Sequence, residues 1–157
     1  MSSILRSIEV TLPWPPPEVF PNARNGAHWT KAWPSIKVQK HTAWALTREQ
    51  IGRQNVPRDR VSRWGLHFDF YPPDARKRDE DGMIGAMKAA QDGISQALVV
   101  DDSLFRITHT VHPPRRPDGA VVVTVTAPDV CQQTEGNWKS IGSIAQGMVE
   151  RSRSEHE

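Results

Sequence analysis

At 157 residues and 17.7 kDa, the chain can build one hydrophobic core but not two full domains. Its apolar runs are only a few residues long and its one cysteine is Cys131, which excludes a membrane-crossing helix, an internal disulfide and a cysteine-rich zinc site. The net charge of +2 selects no partner class, but it is unevenly spread: residues 1–60 hold nine Lys or Arg against four Asp or Glu, and residues 117–157 hold three against six, so the front half leans toward a polyanion.

Residues 7–12, Ser-Ile-Glu-Val-Thr-Leu, alternate polar and apolar and predict a half-buried strand. Pro13-Trp14-Pro15-Pro16-Pro17 ends it, because proline gives the ladder no donor. Residues 18–33 predict a loop. Pro34 suits a first helical position, and 35–51 predict a helix with Lys37, His41 and Arg48 on one face and Trp44 among them. A strand is expected over Trp64–Tyr71, and a helix over 81–98 from the spacing of Met83, Ile84, Met87, Ile94 and Leu98. Leu104–Val111 and Ala120–Ala127 read as two more strands, joined across Pro113–Gly119 as a β-hairpin. The order β, α, β, α, β, β predicts an α+β fold: a single mixed or antiparallel four-stranded sheet with two main helices on one side. Residues 1–127 form the expected domain. Residues 128–157 are expected to be a polar tail, mobile or weakly helical. The first residues lack the apolar stretch of a signal peptide, and a cytoplasmic location is expected.

Chemistry concentrates in Arg76-Lys77-Arg78-Asp79-Glu80-Asp81, then Lys88, Asp92 and Asp101-Asp102. Acids at a helix start are favoured by the macrodipole, and Asp79 or Asp81 can cap the helix. The same argument fails for Asp101-Asp102, which follow the helix, where an acid opposes the dipole. A D-x-D pair in extended backbone points both carboxylates to one side, and a third carboxylate can complete an open site for a hard cation such as Mg²⁺. Lys88 lies two turns past Asp81 on the same stripe and can pair with Asp92 one turn on. No phosphate-cradling glycine motif occurs. His109 and His112 are expected to be structural, most of the six tryptophans to be anchors, and Trp29 or Trp33 can stack on an unpaired base.

Asp79-x-Asp81, Lys88-x-x-x-Asp92-Gly93-Ile94 and Val100-Asp101-Asp102-Ser103 resemble the core of the RusA family of Holliday junction resolvases. Leu12-Pro13-Trp14-Pro15-Pro16, followed by Asn22 and His28-Trp29, is similar to the start of that family, and the resemblance covers about residues 6–127. Gly82 departs from it, standing where an asparagine usually follows the aspartate pair, and Lys88 matches the longer-spaced subgroup. The resemblance implies a homodimeric, Mg²⁺-dependent (or Mn²⁺-dependent) endonuclease that cuts branched DNA, in the setting of phage or prophage DNA processing. It implies Asp79, Asp81 and Asp102 as metal ligands, Asp101 as a weaker contributor and Lys88 as the phosphate-facing cation. Arg24, Lys31, Lys37, Lys40, Arg76, Lys77 and Arg78, with Arg115 and Arg116, are candidates for backbone phosphates. Two rivals remain: a weakened member that binds branched DNA without cutting, and a protein-interaction module that uses the tail.

Overall fold

The computed structural model describes residues 7–24, 29–54, 56 and 59–128; the expected tail beyond Pro128 lies outside them, as do Cys131 and Trp138. Four strands form one mixed sheet: β1 (Ser7–Pro13), β2 (Trp64–Tyr71), β3 (Phe105–Val111) and β4 (Ala120–Thr126), in spatial order β1-β4-β2-β3. Three α-helices occur among the described residues: α1 (Trp33–Arg53), α2 (Glu80–Ala86) and α3 (Lys88–Leu98). The α+β class and the single four-stranded sheet are as the sequence predicts.

Strict alternation builds the sheet. Ile8, Val10 and Leu12 of β1 stand opposite Val125, Val123 and Val121 of β4, which stand opposite Leu66, Phe68 and Phe70 of β2. All nine are buried on one face, where Ala43, Met83, Met87, Ala90 and Ile94 of the helical layer meet them. Each fully buried Phe, Leu, Ile or Met there contributes about 1.5–3 kcal/mol. The other face carries Glu9, Thr11, His67, Asp69, Thr108 and Thr110 among shorter apolar side chains. The helical layer is held by close backbone approach: a Cβ on Gly93 of α3 would lie 2.2 Å from the Lys40 carbonyl oxygen of α1. Only glycine lets the two helices cross at that distance.

Two expectations are corrected. β3 and β4 do not form a hairpin. β3 runs parallel to β2 at the sheet edge, while β4 inserts antiparallel between β1 and β2. The reason is burial: β4 offers Val121, Val123 and Val125 to the core, whereas β3 buries only Phe105. A strand that buries so little of its core-side face belongs at an edge. The expected helix over 81–98 is also broken: Met87 leaves helical geometry at φ −95°, ψ 5°, so α2 and α3 are separate segments. Met83 before the break, Met87 at it and Ala90 after it are all buried, which is why apolar spacing runs through it unseen.

Candidate functional site

The chain enters the acidic turn from a rigid strut. Asp74 holds two guanidinium groups: Arg76 Nε donates to Oδ2 at 3.1 Å and Arg78 Nη2 to Oδ1 at 2.8 Å. Arg78 Nη1 also donates to the carbonyls of Asp74 and Arg76, both at 3.1 Å, and its guanidinium lies 5.3 Å from the centre of the Trp14 ring. The backbone N–H of Arg76, with the two side chains, pulls the Asp74 carboxyl down to about 2. Arg78 is therefore a partly buried brace between the proline-rich segment and the acidic turn, while Arg76 and Lys77 face solvent.

Asp79 is the N-cap of α2, and its Oδ2 accepts the Gly82 N–H at 3.1 Å. A Cβ on Gly82 would sit 3.3 Å from that oxygen, so glycine keeps the cap uncrowded. Capping is thus real for Asp79, in extended backbone, but Asp81 stands inside the first helical turn. The D-x-D pair straddles a helix start, and the same-side argument from strand period does not apply to it. Glu80 accepts or shares a proton with His109 Nε2 of β3 at 2.7 Å. Nothing in the one-dimensional pattern placed His109 here; the parallel β2–β3 register, which sets His109 opposite Phe68, is the signal that finds it.

Lys88 opens α3, and the break at Met87 takes it off any continuous stripe with Asp81. It reaches Asp102 Oδ2 at 2.5 Å and Asp92 Oδ1 at 3.3 Å. The expected Lys88–Asp92 pair is present. The hydrogen bond that Lys88 donates to Asp102, ahead of the pair with Asp92, raises the lysine above its ordinary value, so it stays charged through the neutral range. Asp101 caps the short turn Asp102–Leu104 by accepting the Ser103 N–H at 2.9 Å, and the Ser103 side chain and N–H hold its carboxyl below the usual range. The turn is aimed by Val99, a β-branched residue at φ 57°, ψ 45°, where such side chains are strained.

The N-terminal and acidic motifs, some sixty residues apart in sequence, meet in space. Trp14, Pro15, Asn22, Arg78, Asp79 and Gly82 line one open groove. A second groove holds Lys88 and Asp92 with Gly85, Gln39 and Ile107. Mg²⁺ takes hard oxygens, and Asp79, Asp81 and Asp102 are donors of that kind. They are not drawn together: among the described residues no three Asp, Glu, His or Cys side chains are grouped to hold a metal ion. Of the other expected cations, Lys31 and Lys37 are exposed, Lys40 is half-buried, Arg115 lies 4.2 Å over the Tyr71 ring, and Arg24 belongs to the short turn Pro21–Arg24. No helix among the described residues is long and apolar enough to cross a membrane.

No family model matches the chain. A protein of Xylella fastidiosa (strain Temecula1 / ATCC 700964), named only as an uncharacterized protein, is 32% identical over 126 residues, covering 80% of each chain.

Proposed function

The chain belongs to one family with that Xylella fastidiosa protein, and we propose that it is a Mg²⁺-dependent, structure-selective DNA endonuclease that resolves four-way junctions by paired phosphodiester hydrolysis. The observation that carries this reading is the shared groove of the proline-rich segment and the acidic turn. Those are two of the stretches that resemble the RusA resolvases, and they come together in this fold although some sixty residues apart. Asp79, Asp81 and Asp102 are the ligands in this reading, and a divalent ion bound by them would supply the charge neutralisation that phosphodiester hydrolysis needs. Were such an ion bound, Asp102 would turn part or all of its carboxylate from Lys88 to it, and the ammonium would then be placed to meet a phosphate oxygen. Arg78 braces the turn, and Arg76 and Lys77 meet the DNA backbone.

A homodimer supplies the two sites that two nicks require. Its support is the edge strand β3, whose Ile107 and Val111 remain 38% and 42% exposed on the face that is buried elsewhere in the sheet.

The test is nicking of a synthetic four-way junction with Mg²⁺ or Mn²⁺, with linear duplex as control. Junction-selective nicking that Asp81→Asn abolishes while binding persists supports the reading. Equal cleavage by parent and variant at saturating Mg²⁺ overturns it. A second reading is a protein that binds branched DNA without cutting. It is favoured by the ungrouped carboxylates and by glycine at position 82, and it is selected if the parent binds junctions and nicks nothing.

A further inference from the structure

The part-exposed flank of α1 that borders α3 carries a pattern that the acidic turn does not use. Trp33, Lys37, Lys40, His41, Trp44 and Arg48 recur at three- and four-residue spacing, so they share one stripe about 22 Å long. Trp33 is 49% exposed and Trp44 37%, large exposed areas for side chains that are highly buried on average. The Lys37 ammonium lies 5.3 Å over the Trp33 ring, and the His41 ring stacks on Trp44 with centres 5.6 Å apart and planes 28° from parallel. Lys37, Lys40, His41 and Trp44 together line a shallow surface depression, closed on one side by the uncharged Gln96 of α3.

Charge sets the class of partner. The thirty residues from Val19 to Arg48 contain no Asp or Glu and five Lys or Arg. The one acid of α1, Glu49, is already paired with Arg53 at 2.6 Å. A strip of cations that makes no ion pair among the described residues asks for a polyanion. The rings narrow the choice. Flat aromatic faces interleaved with cations at each turn match a ligand that alternates planar bases with phosphates, and duplex DNA hides its base faces. A membrane surface needs a continuous apolar face, and here cationic side chains separate the rings.

We propose that this flank of α1 binds single-stranded nucleic acid, with a base stacked on the His41–Trp44 pair and Lys37, Lys40 and Arg48 on its phosphates. The proposal rests on α1 alone and not on hydrolysis at the acidic turn. It holds even if the chain cuts nothing.

The experiment titrates a short oligothymidylate into the full chain in EDTA, so that no metal-dependent cleavage enters, and follows tryptophan fluorescence. Quenching is expected, with tighter binding of the single strand than of a duplex of equal length. Trp44→Ala should weaken binding about 5- to 150-fold, the range of one base–aromatic stack, and Trp44→Phe should restore most of it. The double variant Lys37→Ala/Lys40→Ala should reduce the slope of log affinity against log salt by about 1.4. Circular dichroism checks that each variant folds. Unchanged affinity in folded Trp44→Ala overturns the proposal. So does binding of heparin or anionic vesicles as tight as that of the oligonucleotide, with the same insensitivity to Trp44.

Discussion

Asp79-Glu80-Asp81 and Asp101-Asp102 begin alike. In each, the first aspartate stands in extended backbone and its carboxylate accepts a backbone N–H of the turn that follows, Gly82 in one case and Ser103 in the other. The second acid then diverges. Asp81 projects from the first turn of α2, exposed and with no ion pair among the described residues, while Asp102 is locked on Lys88. Local helix chemistry accounts for the first aspartate of each pair and leaves the second unexplained. An uncompensated carboxylate and a carboxylate held by a lysine are unequal partners for a cation, and the proposed site needs both.

The largest expected effect concerns the lysine that separates the two. Lys88→Ala should lower the single-turnover cleavage rate of a four-way junction about 10²- to 10³-fold, the usual loss for one charge-stabilising donor. Its melting temperature should barely move, since the pairs with Asp92 and Asp102 are exposed. Lys88→Arg should rescue only in part, because a planar fork does not replace a compact charge. An unchanged single-turnover rate in Lys88→Ala makes Lys88 merely a salt-bridge residue.

The next separates capping from charge at Asp79. Asn caps as well as Asp, and Ala does not. Asp79→Ala should cost about 1 kcal/mol in urea unfolding, and Asp79→Asn close to nothing, while both lose cleavage. If Asp79→Asn cleaves like the parent, Asp79 is a cap and no more, and the two motifs differ in every respect but geometry.

At Val99, just ahead of the second motif, glycine should stabilise. The left-handed backbone costs a β-branched residue about 1–2 kcal/mol, against about 0.5–1 kcal/mol for the extra freedom of glycine in the unfolded chain. Val99→Gly should therefore raise stability by about 0.5–1 kcal/mol in urea unfolding, since the side chain is half exposed and buries little. A loss of stability would mean that the left-handed backbone is less costly at Val99 and that its side chain packs more than its exposure shows.

The smallest effect lies in acid. The Asp74 carboxyl is depressed, so its hold on Arg76 and Arg78 is complete above the ordinary carboxylate value and fades only as pH falls through about 2. Trp14, over which Arg78 lies, should report this as a fluorescence change centred there in a chain kept folded by osmolyte. A transition near pH 4 instead would show that the brace is not formed.

Alternation made β1 and β2 readable: the predicted 7–12 and 64–71 match Ser7–Pro13 and Trp64–Tyr71. Partnership between strands was not readable from neighbours in sequence. Position in the sheet follows how much apolar side chain a strand must cover: β4 fills its core side with Val121, Val123 and Val125, whereas β3 interrupts that side with His109 and carries Arg106, Thr108 and Thr110 on the other, which favours β4 inside and β3 at the edge. At the site, the Asp79 cap and the Lys88–Asp92 pair were visible as short-range spacing; the Asp101 cap was not, because it closes a separate short turn beyond α3. The Lys88–Asp102 and Glu80–His109 contacts depend on where β3 returns to the sheet, which no local pattern encodes.

The placement of β4 also governs the order of assembly. Ser7 pairs with Thr126, so the strand that occupies the sheet's interior is the last of the four to leave the ribosome. Until then β1 has no ladder partner, and Ile8, Val10, Leu12, Phe68 and Phe70 have no Val121–Val125 row to close against. Nearly the whole domain must be synthesised before its core can be sealed. Closing a loop of that length comes before the contacts that reward it, which slows the step that seals the core.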